Sequence, residues 1–240
     1  MLFRIFGNHS VRVIPRRLVL LLAVGLAMSP AVSSANSARP INYSTRGISF
    51  QQEDGWVAIK TDDGILFVWN VKELHFTLAV KGKDIKPLND PEHIFFAVDG
   101  FVLQIQVAPV REFAPDAKEK KLDDRSILVA HRDWESGFIE GLLKTKIQLH
   151  TFNVRLSNGG DASLWQFDMP EGRNAEEKTQ LYLTVVREDG VVMLNSVATA
   201  TTSEETVRKF LLDTMATLKT SPDPIDVQKL AESVRKKGTS

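Results

Sequence analysis

Cysteine is absent from the 240 residues of the chain. That excludes a disulfide framework, a cysteine-ligated zinc site, a thiol nucleophile and a lipid-modified cysteine. Net charge is absent too, with 30 Lys and Arg against 30 Asp and Glu, so the basic footprint of a nucleic-acid binder is missing. No apolar run approaches the roughly 20 residues of a membrane-spanning helix. The motifs H-E-x-x-H, G-x-S-x-G and G-x-G-x-x-G, the phosphate loop and the calcium loop D-x-[DN]-x-[DN]-G are missing as well. What remains is ordinary for a globular protein: 43% hydrophobic and 25% charged residues.

The zero balance divides unevenly. Residues 1–35 carry Arg4, Arg12, Arg16 and Arg17 and no acid, then the apolar run 18–28, then the small residues AVSSA. A positive start, a short apolar stretch and small residues before a cut predict a secretory signal peptide over 1–35, cleaved near Ala35. Losing four arginines leaves 26 basic against 30 acidic side chains, a net charge of −4. The product is expected to be periplasmic or secreted, with no membrane span after cleavage. Residues 36–46 are small and polar and read as a flexible lead-in.

Residues 47–220 read as a single α+β domain. Trp56 to Lys60 and Ile65 to Trp69 flank Asp62-Asp63-Gly64, a hairpin signal. His75 to Val80 forms another strand. Residues 81–92, with Pro87 and Pro91, read as a loop. His93 to Val98 and Phe101 to Ala108 flank Asp99-Gly100, a second hairpin. After a connection over 109–122 the period changes: Ile127, His131, Trp134, Phe138 and Leu142 mark one helix face over about 125–145, with Asp124 as N-cap. Strands are expected over 147–156, 162–167, 180–187 and 191–200. The last two are apolar on both alternating faces, which places them mid-sheet and covered on both sides. Thr202 with Glu205 reads as a capping box opening a helix to about 219. Residues 221–240 read as a tail, with Asp223-Pro224 able to start a further short helix.

Candidate site residues are few. His131 and Glu135, four apart on one helix face, have the spacing of a zinc-ligand pair, with a simple electrostatic pair or a place in the apolar stripe as the alternative. Trp56, Trp69, Trp134 and Trp165 belong to the core unless some line a cleft between the long helix and the sheet, where they would form a binding platform. A spatially assembled acid and base, His150 or His131 with Asp168 or Glu135, is the enzymatic alternative. No cofactor is implied.

The order Leu181 to Arg187, Glu188-Asp189-Gly190, Val191 to Asn195, then the helix with Phe210, resembles the end of the PsbP/Mog1-like superfamily. The Phe50…Gly55-Trp56 opening and the 125–145 helix agree with it. The resemblance implies an antiparallel β-sheet flanked by helices in an α/β/α sandwich, acting as a non-catalytic binding or accessory module. The expected function is an exported, non-enzymatic protein of the bacterial cell envelope that contacts another envelope protein or a small apolar ligand. An envelope hydrolase is the alternative.

Overall fold

Hairpins organise the molecule, as their turn residues require. The computed structural model describes residues 48–51, 55–88, 90, 93–170 and 176–238. The expected signal peptide (1–35) and lead-in (36–46) lie outside the described residues. Strands β1 (Ile48–Gln51), β2 (Trp56–Thr61), β3 (Gly64–Val71) and β4 (Leu74–Lys81) form an antiparallel meander. Gly64 closes its first tight turn at φ 155°, and a Cβ there would stand 2.1 Å from the Val80 carbonyl oxygen, so β3 begins where only glycine fits. In the next hairpin, β6 (Ile94–Val98) and β7 (Phe101–Pro109) are joined by Asp99 (φ 47°) and Gly100 (φ 90°), both left-handed, which is why the Asp-Gly pair belongs there.

Residues 81–92 hold one element that proline argued against. Strand β5 (Ile85–Leu88) pairs with β6 at the sheet edge, where Pro87 needs no outward N–H partner. Within the 109–122 connection, helix α1 (Val110–Phe113) is a single turn. The long helix α2 (Asp124–Leu143) follows, but its N-cap is Asp123, which accepts the Ser126 N–H at 2.8 Å, and not Asp124. Strand β8 (His150–Arg155) starts three residues later than its apolar pattern predicts, because Ile147 and Leu149 pack beside α2 instead. Then come β9 (Asp161–Asp168), β10 (Glu177–Arg187) and β11 (Gly190–Thr199). Helix α3 (Glu204–Met215) is capped by Ser203, one residue past the expected Thr202.

The antiparallel sheet flanked by helices is divided in two. One sheet runs β1-β2-β3-β4-β12, with β12 being Lys219–Ser221, and the other β5-β6-β7-β11-β10-β9-β8. As the two-sided apolar pattern predicts, β10 and β11 sit in the middle of the larger sheet. One of its faces packs against the smaller sheet and α3, through Phe67, Phe76, Leu183, Leu194, Val207 and Leu211. The opposite face packs against α2. The last turn of the chain is no loose appendage. Helix α4 (Val227–Gly238) places Ala231 on Ile59 and Val68 of the smaller sheet, with Asp226, not Asp223, accepting the Lys229 N–H. Asn70 clamps the strap before it, donating to the Ile225 carbonyl at 2.8 Å and accepting the Ile225 N–H at 2.9 Å. No helix among the described residues is long and apolar enough to cross a membrane.

Candidate functional site

The six candidate residues fall in three places. Trp56 is buried between the sheets, its ring 5.5 Å from that of Phe67. It is core. Under α2, His131, Glu135 and Trp165 are buried together with Tyr182, Trp165 and Tyr182 stacking at 3.9 Å and 1°. Trp134 is half-buried at the edge of that group, and Phe113 of α1 packs on both His131 (5.0 Å) and Trp134 (5.8 Å). The buried stripe of α2 runs through His131, Glu135 and Ile139 rather than through Trp134 and Phe138.

Between α2 and the sheet, where a cleft was the alternative to a core, Ile139, Leu143, Trp165, Phe167, Tyr182 and Met193 pack together. Burial is the first cause that holds the Tyr182 hydroxyl well above its ordinary range, and the nearby Glu135 is the second. Of the residues of the enzymatic alternative, the sheet separates one pair from the other. His150 and Asp168 lie on the α3 side of the larger sheet, and His131 and Glu135 come from α2 on its other side. Asp168 instead accepts a hydrogen bond from Thr179 at 2.9 Å. Among the described residues no three His, Asp or Glu side chains gather as a metal site.

Trp69 lines a cleft. Its cavity is about 690 Å³, and it opens where the two sheets part at one end. Trp69, Val71 and Leu74 of the β3–β4 hairpin, Val107 of β7 and Val110 of α1 line it, and Ala114, Pro115 and Ala117 extend one wall. Lys72, Glu73, Arg111, Lys118, Glu188 and Asp189 surround the mouth. Trp69 is cross-strand partner to both Trp56 and Phe76, and it stacks on Phe76 at 6.2 Å and 18°.

The cleft is held open by fixed backbone. The Val110 N–H donates to the Asp189 carbonyl at 2.8 Å, and the Ala114 N–H to Val110 at 2.8 Å. Val110, Ala114 and Ala117 are buried on their far side against Ile127, Leu128, Val186 and Val191. At the mouth Lys118 pairs with Asp189 at 2.6 Å. Two non-glycine residues at the rim, Lys72 (φ 54°) and Glu188 (φ 51°), sit in the left-handed region at the two hairpin tips, a conformation that costs about 1 kcal/mol each. An apolar floor with a charged rim can bind an apolar group by excluding water. Sequence reasoning reached Trp69 but not Leu74, Val107 or Val110, because the lining comes from three segments spread between residues 69 and 190.

No family model matches the chain, and no curated protein matches it in sequence. In structure it is similar to cyanobacterial PsbP (CyanoP) from Synechocystis sp. PCC 6803, in a solution structure. The similarity is one of fold. It has 9% identity and a TM-score of 0.36, and it covers 82% of this chain and 100% of that one.

Proposed function

We propose that this protein is an exported, non-enzymatic binding module of the cell envelope, and that it takes a small apolar ligand in the Trp69 cleft. The observation that carries the reading is the cleft itself. Its volume of about 690 Å³ falls in the range of roughly 300–1,000 Å³ common to small-molecule sites, and it is apolar inside with a few polar groups at the mouth. A ligand burying roughly 250 Å² of apolar surface there gains roughly 6 kcal/mol before the entropy of association is subtracted. Since 6 kcal/mol alone corresponds to a dissociation constant of about 40 μM, the cleft supports binding no tighter than tens of micromolar.

The test is a fluorescence titration with the apolar dye 1-anilino-8-naphthalenesulfonate, on the chain and on Trp69→Ala, Leu74→Asp and Trp134→Phe. The first two variants are expected to weaken dye binding about tenfold or more, since each removes or charges the floor. Trp134→Phe should leave it unchanged. Equal binding by all four proteins would exclude the cleft as the site.

A further inference from the structure

We propose that β8 is a docking edge, along which an extended, acidic segment of a partner protein adds to the larger sheet as an eighth strand. This surface shares no residue with the Trp69 cleft and does not depend on it.

The two edges of the larger sheet differ. β5 ends one side with Lys86 and Pro87, which discourage strand addition, one by charge and one by lacking an N–H. β8 ends the other side with His-Thr-Phe-Asn-Val-Arg, which contains no proline, lysine or acid. Among the described residues β8 pairs with β9 alone. Five of its six side chains are exposed, and Phe152, at 41%, is one of two large hydrophobic residues exposed to that degree among those described. A strand of this kind offers alternate N–H and C=O groups to an incoming chain, with side-chain contacts on either face to set register.

Charge selects the occupant. Residues 144–155 read KTKIQLHTFNVR, with Lys144, Lys146, His150 and Arg155 and no Asp or Glu. The acids that meet Lys146 and Arg155, Glu140 at 2.5 Å and Asp161 at 3.5 Å, stand back on α2 and β9 and leave the two cations 90% and 73% exposed. An arginine flanks the strand on each face of the sheet. Arg208 of α3 lies 5.2 Å over the Phe152 ring, and Arg132 of α2 donates to the Thr151 hydroxyl at 3.4 Å. Each of these also meets one carboxylate, Glu204 and Asp133 respectively. A second copy of the chain would lay this cationic line against itself. An acidic extended segment meets it with opposite charge.

The test is selection of ten-residue peptides displayed on phage against the full chain, followed by affinity measurement and amide hydrogen exchange on the selected peptides. The expected peptides alternate β-forming residues with Asp or Glu, and protect amides within 150–155. The triple variant Lys144→Glu, Lys146→Glu, Arg155→Glu should weaken them by about tenfold or more. Phe152→Pro and Asn153→Pro supply a second arm, because neighbouring N–H groups point to opposite sides of a strand. One of the two removes a free-edge donor and should abolish binding with the fold intact. The other removes a bond to β9 and shows itself as a lowered melting temperature. If both unfold the chain, the charge variant decides. The proposal is overturned by failure to select any peptide, by peptides without acidic enrichment, by protection elsewhere, or by full affinity in the charge variant. A sedimenting dimer that the edge prolines dissolve would assign the edge to a second copy and overturn it equally.

Discussion

Two rows of side chains cross the larger sheet one residue apart and on opposite faces. Leu164, Leu183, Leu194 and Ile105 are cross-strand neighbours on the side that meets the smaller sheet. Trp165, Tyr182, Asn195 and Gln104 are neighbours on the side under α2. All eight are buried. The first row holds by area alone, which is non-directional and tolerant of small shifts. The second is bound by geometry. Asn195 donates to the Gln104 amide oxygen at 2.6 Å, and in the next row Thr184 donates to the Ser163 carbonyl at 3.1 Å. Yet the Trp165 Nε1 and the Tyr182 hydroxyl are buried without a hydrogen-bond partner among the described residues, and each such group costs about 1–3 kcal/mol. One face of the sheet is therefore held by aliphatic area, and the other retains polarity at a cost.

The strongest way to break that contrast is Leu183→Ala. Leu183 is fully buried in the inter-sheet core, so its truncation should cost about 3–5 kcal/mol in urea unfolding, with the slope unchanged. A loss under about 1 kcal/mol would mean that aliphatic area does not hold this face.

Alkali tests the polar face. The Tyr182 hydroxyl is held well above its ordinary range by burial first and by Glu135 second. A raised value in the folded state means that the contribution is complete below the unfolded tyrosine value of about 10. It is lost as the pH climbs from there toward the folded value, at about 1.4 kcal/mol per pH unit. The chain should therefore lose stability above about pH 10, and Tyr182→Phe should flatten that limb. An identical limb in both proteins would show that Tyr182 is not protected. A smaller effect follows from Glu135→Gln. Removing the carboxylate should lower the pH at which Tyr182 ionises, as seen at 295 nm by difference from Tyr182→Phe, but not to the value of a free tyrosine, since burial persists.

Much of this contrast was legible in the sequence. The run 180–187 with 191–200 is apolar on both parities, which required cover on both sides, and β10 and β11 are covered so. Turns announced themselves through Asp63-Gly64 and Asp99-Gly100, because backbone chirality confines such positions to few residue types. Less legible was the stripe of α2, where the polar Glu135 hid the true buried face and Trp134 suggested a false one. β5 was obscured because proline is compatible with an edge but not with a central strand. Docking of α4 and formation of the Trp69 cleft depend on contacts between segments far apart in the chain, for which no local pattern exists.

The smallest expected effect is the most discriminating. Tyr182→Phe removes one oxygen from a fully buried ring and leaves its stacking on Trp165 intact, at 3.9 Å between centroids. Were the hydroxyl well bonded, its loss would cost about 1–1.5 kcal/mol at neutral pH. Since it has no hydrogen-bond partner among the described residues, the variant sheds a desolvation penalty and should unfold at equal or higher urea, within about 1 kcal/mol of the parent. Removing the oxygen leaves a void too small to offset that gain by much, because about one heavy atom's contacts are lost. Leu183, the adjacent residue on the other face, offers no comparable gain on truncation. A clear destabilisation by Tyr182→Phe would mean that the two faces of the sheet hold the fold by the same means, with the polar row bonded as well as the aliphatic row is packed.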